Sequence, residues 1–398
     1  MKRYLTPFIE KDLPKKIILL SGPRQSGKTT LSKSINSQYE YLNYDIAEDR
    51  QAIANKSWDR SQPLLILDEL HKMPEWKRWL KGIYDGEGLT PPIMVTGSAR
   101  LDTFKKVGDS LAGRYFPFRL HPLDLKECVA NGLKAEEALT QLMQTGGFPE
   151  PFLAGDADYY QRWRRTHLDI ILRQDLISLE SVRELTKIET LIELLRERVA
   201  SPISARSLAI DLQVSTQTVQ RWLNILEDLF VIFKVTPFHK NIARSILQSP
   251  KIYFYDQGLV KGDAGTQFEN LVACALLKEI QFRQDCFGKT WQLHYLRNRN
   301  GKEVDFYVAD ESHQACLVEV KLSDDSPSPH LRYFLNTLTQ ASAIQIVHAP
   351  CKTRHYPIKV DQKQTSDETP STASDATSKE RYIVVQQASH CLATMDFF

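Results

Sequence analysis

Three apolar runs near the start of the chain each give way abruptly to polar residues. They are Ile17-Ile18-Leu19-Leu20, Leu64-Leu65-Ile66-Leu67 and Ile93-Met94-Val95. Unbroken apolar stretches of this length, rather than alternating ones, are the pattern of strands covered on both faces of their sheet. Residues 41–45 (YLNYD) add a short alternating strand. Residues 115–120 (YFPFRL) add a fifth, which Pro117 confines to an edge or a bulge because proline has no N–H to give a ladder. Strands alternating with helical segments in this way predict an α/β fold, a parallel sheet with helices on both faces, over residues 1–134.

After residue 134 the pattern turns helical. Residues 135–143 read as a helix stopped at Gly146-Gly147, and 159–173 have amphipathic helical spacing, so 135–200 is expected to be helical. Two short helices follow at 203–212 and 216–226, the second starting from Ser215 as N-cap, with a turn between them. Residues 230–235 and 251–255 then alternate as strands, which makes 201–262 a winged helix-turn-helix. The last unit, 263–398, opens with a helix at 268–272 and carries strands at 303–308 and 316–321. Residues 361–380 contain no large apolar side chain and are expected to be disordered, and the apolar stretch 381–385 is expected to return as a strand of the same sheet.

The polar residues after the first three runs carry chemistry. Gly22, Pro23, Arg24, Gln25, Ser26, Gly27, Lys28, Thr29 and Thr30 follow the first run with the spacing G-x-x-x-x-G-K-[ST], a phosphate-binding loop. The glycines let successive N–H groups converge on phosphate oxygens. Lys28 is expected to reach the β- and γ-phosphates, and Thr29 to hold Mg2+. Asp68 and Glu69 end the second run: Asp68 is suited to hold Mg2+ through water, and Glu69 to orient and deprotonate an attacking water. Ser98, with Thr96 as second choice, is expected to sense the γ-phosphate from a strand lying between the other two. ATP and Mg2+ are the implied cofactors.

Two later constellations point to nucleic acid. In the helix pair, Leu208, Ala209, Leu212, Val214, Val219, Trp222 and Leu223 have the spacing of a packed face, which leaves Thr216, Gln217, Thr218, Gln220 and Arg221 outward. Such side chains contact phosphates and base edges in a major groove, and Arg206, Lys240 and Arg244 would add phosphate contacts. Further on, Glu269, Asp305, Glu319 and Lys321 form a set able to bind one or two Mg2+ ions and activate water against a phosphodiester. Period two puts Glu319 and Lys321 on one face of their strand. Arg162, Arg164 and Arg165 read as a solvated helix face, and His167 is given no role.

Composition narrows the setting. A net charge of +2 supplies no global basic field, so any DNA contact rests on local patches. Six cysteines without a C-x-x-C pair argue against zinc clusters and disulfide frameworks. No segment has the length of a membrane span or a signal peptide, and a cytoplasmic protein without membrane contact is expected.

The runs GPRQSGKTT, LLILDEL, MVTGSAR and SLAGRYFPFRLHPLDLKE, with GGFPEP, KIYFYDQGL and GKEVDFYV…LVEVK further on, resemble AAA+ ATPases whose C-terminal half is the domain of unknown function 4143. The resemblance spans nearly the whole chain and implies that the helical region 135–200 is a lid over the nucleotide site. It implies a homo-oligomer, a hexameric ring, in which Arg114 of AGR 112–114 acts as a finger on the neighbour's γ-phosphate, with Arg100 and Arg119 as competitors. The set Glu269, Asp305, Glu319 and Lys321 resembles the PD-(D/E)xK nuclease core, and the relatives of that fold that act on branched DNA raise Holliday junctions as substrates. Two readings follow: an ATP-driven DNA remodeller, and a nucleotide switch acting on a protein partner with a C-terminal domain that has lost its chemistry.

Overall fold

The computed structural model describes residues 1–98, 111–176, 182–239, 249–312, 314–358 and 381–396. Arg100, Lys240, Arg244 and the segment expected to be disordered, 361–380, lie outside them.

The first sheet is built from β1 (Ile17–Ser21), β2 (Glu40–Asn43), β3 (Leu65–Asp68), β4 (Ile93–Gly97) and β5 (Tyr115–Arg119), in the order β2-β3-β4-β1-β5. All of its pairings are parallel. Alternate side chains leave a strand on opposite faces, and the apolar runs divide accordingly. Ile17, Leu19, Leu65, Leu67 and Val95 pack with Trp58, Trp76 and Leu80 on one face. Ile18, Leu20, Ile66 and Met94 pack with Ile9, Leu31 and Phe118 on the other. Helices therefore cover both faces, and Pro117 sits in the edge strand β5. Because β4 lies between β1 and β3, the polar ends of three strands meet side by side.

The second sheet is mixed and has eight strands in the order β12-β13-β11-β10-β9-β8-β6-β7. Its members are β6 (Ile232–Pro237), β7 (Lys251–Phe254), β8 (Trp291–Arg297), β9 (Glu303–Asp310), β10 (Ala315–Lys321), β11 (Ala341–Val347), β12 (Arg354–Pro357) and β13 (Tyr382–Gln387). The antiparallel pair β6–β7 that follows the helix-turn-helix is continuous with this sheet, through a short parallel contact of Thr236 and Pro237 with β8. The returning segment at 382–387 is inserted between β11 and β12.

One core runs from the helical region through the helix-turn-helix to a face of the second sheet, joining Leu139, Ile192, Trp222, Phe254, Leu276 and Val318. At its centre is the helix Ala264–Phe287, whose 24 residues span about 36 Å at 1.5 Å per residue. Its far end reaches the first sheet. There Phe282 packs edge-on against Tyr4 and Phe8, and Asp285 pairs with Arg119 of β5 at 2.6 Å.

Candidate nucleotide site and carboxylate cluster

The loop after β1 turns on two glycines. A Cβ at Gly22 would lie 2.3 Å from the Leu120 carbonyl oxygen, so only glycine lets the loop leave the sheet so close to the strand beside it. Gly27, at φ 94°, is in the left-handed region that favours glycine and starts the helix Lys28–Ser34. The Lys28 ammonium is buried and donates to the carbonyls of Gly22 (2.9 Å) and Pro23 (2.6 Å). A cleft of about 1280 Å3 opens here, lined by Arg24, Gln25, Lys28, Thr29 and Glu69 together with the N-terminal Met1 and Lys2.

Asp68, at the end of β3, is the hub of the site. Thr29 and Tyr41 each donate a hydroxyl to its Oδ2 at 2.8 Å, and Thr96 of β4 donates to its Oδ1. A threonine hydroxyl and a carboxylate 2.8 Å apart are hard oxygen ligands that suit Mg2+ shared with phosphates and water, so these residues fit that ion. Glu69 follows at φ 56°, a left-handed turn that swings its carboxylate out of line with the strand. Ser98 donates to it at 3.4 Å, and Lys72 lies 3.7 Å away. Burial is the largest influence on Glu69 and raises its pKa above the ordinary carboxylate value, against the pull of Lys72 and Lys28.

On the second sheet, Glu269 of the long helix, Asp305 of β9 and Glu319 and Lys321 of β10 come close together. Glu319 Oε1 accepts from Lys321 (2.8 Å) and Ser328 (3.3 Å), and Asp305 Oδ2 accepts the Val320 N–H at 2.9 Å. Burial, then the neighbouring Asp305, push Glu269 and Glu319 up to about 7. Two residues the sequence reading passed over complete the group. Lys251, which opens β7, is 1% exposed and places its ammonium 2.7 Å from Glu303, 3.4 Å from Glu269 and 3.9 Å from Asp305. Glu303 stands two residues before Asp305, so period two already put both on one face. The only signal for Lys251 was a cation heading an otherwise apolar strand, KIYF.

An AAA domain family matches residues 14–129, and a domain of unknown function, DUF4143, matches 264–365. The chain carries an AAA domain followed by a DUF4143 domain. A second domain of unknown function, DUF8612, matches the intervening residues 136–267. The chain is also similar to an uncharacterized protein of Mycobacterium tuberculosis, 26% identical over 311 residues that cover 73% of this chain and 67% of that one. An uncharacterized protein of Methanocaldococcus jannaschii is 24% identical over 365 residues, covering 81% and 79%. Among solved structures, the Bacillus subtilis DNA clamp loader delta protein aligns at TM-score 0.26 and 13% identity, over 56% of this chain and 87% of that chain. A Pyrococcus horikoshii signal transduction ATPase with a tetratricopeptide repeat sensor aligns at TM-score 0.24 and 13% identity, over 72% and 47%. The fold described above rests on the sheets themselves.

Within the AAA domain, Arg114 is not beside its own loop. Its carbonyl accepts the Ile17 N–H at the beginning of β1, whereas the phosphate loop leaves the end of that strand. Asp85 holds its guanidinium at 2.7 Å. Arg119 is level with Ser21 at the loop end of β1 and is held by Asp285 and Gln284. In the helix pair, Ser215 caps Thr216–Asp228 by accepting the Thr218 N–H. Thr216, Gln217, Gln220 and Arg221 are exposed along that helix, as is Arg206 on the preceding one. Arg221 pairs with Glu184 at 3.2 Å.

His167 and Arg3 reach the phosphate loop although neither had been assigned a role. His167 Nδ1 lies 2.6 Å from Gln25 Oε1, and its ring stacks on Trp163 with centroids 4.5 Å apart. Arg3 donates to the Ser26 carbonyl at 2.9 Å and pairs with Glu127 at 2.9 Å. Both contacts join residues more than twenty positions apart and have no local signature. Among the described residues, no helix is long and apolar enough to cross a membrane.

Proposed function

We propose that this chain is a Mg2+-dependent ATPase working as a ring of identical subunits, and that its turnover drives a DNA-gripping C-terminal half. The convergence of Thr29, Thr96 and Tyr41 on Asp68, beside Lys28 and Glu69, carries the ATPase reading. Thr29 directly and Asp68 through water would hold Mg2+, which neutralises charge on the phosphates. Lys28 exchanges its loop carbonyls for the β- and γ-phosphate oxygens. Glu69, whose raised pKa makes it a stronger base than an exposed carboxylate, takes the proton of the attacking water, and Ser98 holds it in position. The exposed row Thr216, Gln217, Gln220 and Arg221 supports DNA as the partner, since these side chains reach base edges and phosphates. A phosphate would displace Glu184 from Arg221. The second reading, a switch acting on a protein partner, is favoured by His167 against Gln25, which ties the loop to the helical region.

The deciding experiment measures ATP binding and turnover for wild type, Lys28→Ala and Glu69→Gln, alone and with duplex, single-stranded and four-way junction DNA. Lys28→Ala is expected to lose binding. Glu69→Gln is expected to keep binding and lose turnover by about 10²–10⁴-fold, the usual contribution of a positioned base. Near-normal turnover in Glu69→Gln would remove that residue from its role. A wild-type rate indifferent to every DNA would move the reading to the switch.

A further inference from the structure

The resemblance to PD-(D/E)xK nucleases implies a divalent metal among Glu269, Asp305 and Glu319, and the residues present do not fit one. Mg2+ takes a near-octahedral set of oxygens at 2.0–2.1 Å. Here a protein cation already stands at each of the three: Lys251 faces Glu269 and Asp305, and Lys321 pairs with Glu319. Glu269 Oε1 accepts from Tyr253 at 2.7 Å and faces the Lys251 ammonium, and Asp305 faces the same ammonium with one oxygen and the Val320 N–H with the other. Glu319 gives Oε1 to Lys321 and Ser328 and leaves Oε2 as a buried oxygen without a hydrogen-bond partner. One such oxygen does not make a metal site. Among the described residues no three of His, Cys, Asp and Glu are disposed to hold a metal ion.

We propose that the Lys251 ammonium is the resident cation of this cluster and stands in the place of a divalent metal, so that the DUF4143 domain works as a binding module without metal-dependent cleavage. Position and burial both support the assignment. The lysine enters from β7, on the edge of the sheet, and reaches across to the long helix and to β9, with the Tyr295 ring 5.4 Å from its Nζ. Four acids, Glu269, Glu303, Asp305 and Glu319, would repel one another at such a site without a cation between them. A covalently tethered ammonium meets that need at all times, and a divalent ion entering beside it would meet like charge. The same contacts fasten the β6–β7 pair to the sheet, so the cation that excludes the metal also joins the two units. Lys321 is paired with Glu319 at 2.8 Å.

The test uses the full chain without nucleotide and counts bound Mn2+ by electron paramagnetic resonance for wild type, Asp305→Asn, Lys251→Met, Lys251→Arg and the Lys251→Met/Asp305→Asn pair. Leaving out nucleotide keeps the outcome separate from the ATPase reading. Wild type and Asp305→Asn are expected to bind Mn2+ equally. Lys251→Met is expected to gain one ion per chain, lost again in the double variant, and Lys251→Arg to gain none. A wild-type Mn2+ site that Asp305→Asn abolishes overturns the proposal, as does a folded Lys251→Met that gains no ion. If Lys251→Met does not fold, the comparison of wild type with Asp305→Asn decides: equal uptake upholds the proposal and loss overturns it.

Discussion

Asp68 receives three hydroxyl donors, and the one from Tyr41 shows what a linear reading misses. Lys28, Thr29, Asp68 and Glu69 could be found because the spacing of each group lies within a few residues of one apolar run. Tyr41 belongs to β2, and its meeting with Asp68 depends on β2 and β3 being neighbours. His167 is the clearest case, an imidazole 142 positions from Gln25 and in contact with it. Burial, then the charges of Arg24 and Lys28, lower its pKa to about 4 from the ordinary 6.5. Between those values the unfolded chain takes up a proton that the folded one refuses. The contribution of His167 to stability is therefore fully present above pH 6.5 and is lost as the pH falls towards 4. The slope from this one group is at most about 1.4 kcal/mol per pH unit. Wild type should accordingly lose stability more steeply than His167→Gln between pH 6.5 and 4. Denaturant unfolding at a series of pH values checks it, and parallel curves for the two proteins would remove His167 from the titration.

At the scale of elements, apolar runs named β1, β3 and β4, because burial on both faces leaves an unbroken signature. The second sheet was harder to read. β11 was missed because ASAIQIV mixes small and polar residues with apolar ones; Gln345 is fully buried there and is satisfied by Ser328 N–H and the carbonyls of Asp324 and Ser326. The continuity of β6–β7 with β8 was not legible either, since sequence pattern fixes which residues form a strand and not which strands pair. The long helix shows how an element joins the two halves. Lys278 on it pairs with Glu127 at 2.8 Å and with Asp124 at 3.2 Å. Burial alone would raise Glu127, but Lys278 and Arg3 bring it down to about 2. Removing one partner of a buried pair strands the other, so Lys278→Met should destabilise the protein by about 3–5 kcal/mol. Arg78→Ala, at the exposed Arg78–Glu75 pair, should leave the midpoint unchanged. Equal midpoints for Lys278→Met and wild type in a denaturant titration would show that the helix is held by its apolar contacts alone.

For the whole molecule, the phosphate loop leaves the end of β1 while Arg114 stands level with that strand's beginning. The register pairs Ile17 with Tyr115 and Ser21 with Arg119, so Arg114 lies four to five strand positions, about 13–17 Å, from the level at which the phosphate loop begins. A guanidinium there does not serve its own loop. In a closed ring, each subunit presents one surface to the next, and a residue far from its own site can complete the neighbour's. The ion pair with Asp85 would hold Arg114 in place until that interface forms. Arg114→Ala should then bind ATP normally and lose turnover by about 10³–10⁵-fold, the range seen when such a finger is supplied or withheld. Mixing supplies the decisive measurement. Glu69→Gln subunits, inactive in their own sites, still carry Arg114 and can lend it to an Arg114→Ala neighbour whose Glu69 is intact. Turnover should therefore reappear when the two inactive proteins are combined, with a maximum at an intermediate ratio and a dependence on total protein concentration. A mixture that stays as inactive as its components at every ratio and concentration would leave Arg114 with its surface contacts to Asp85, Ala112 and Tyr84 and no role across an interface.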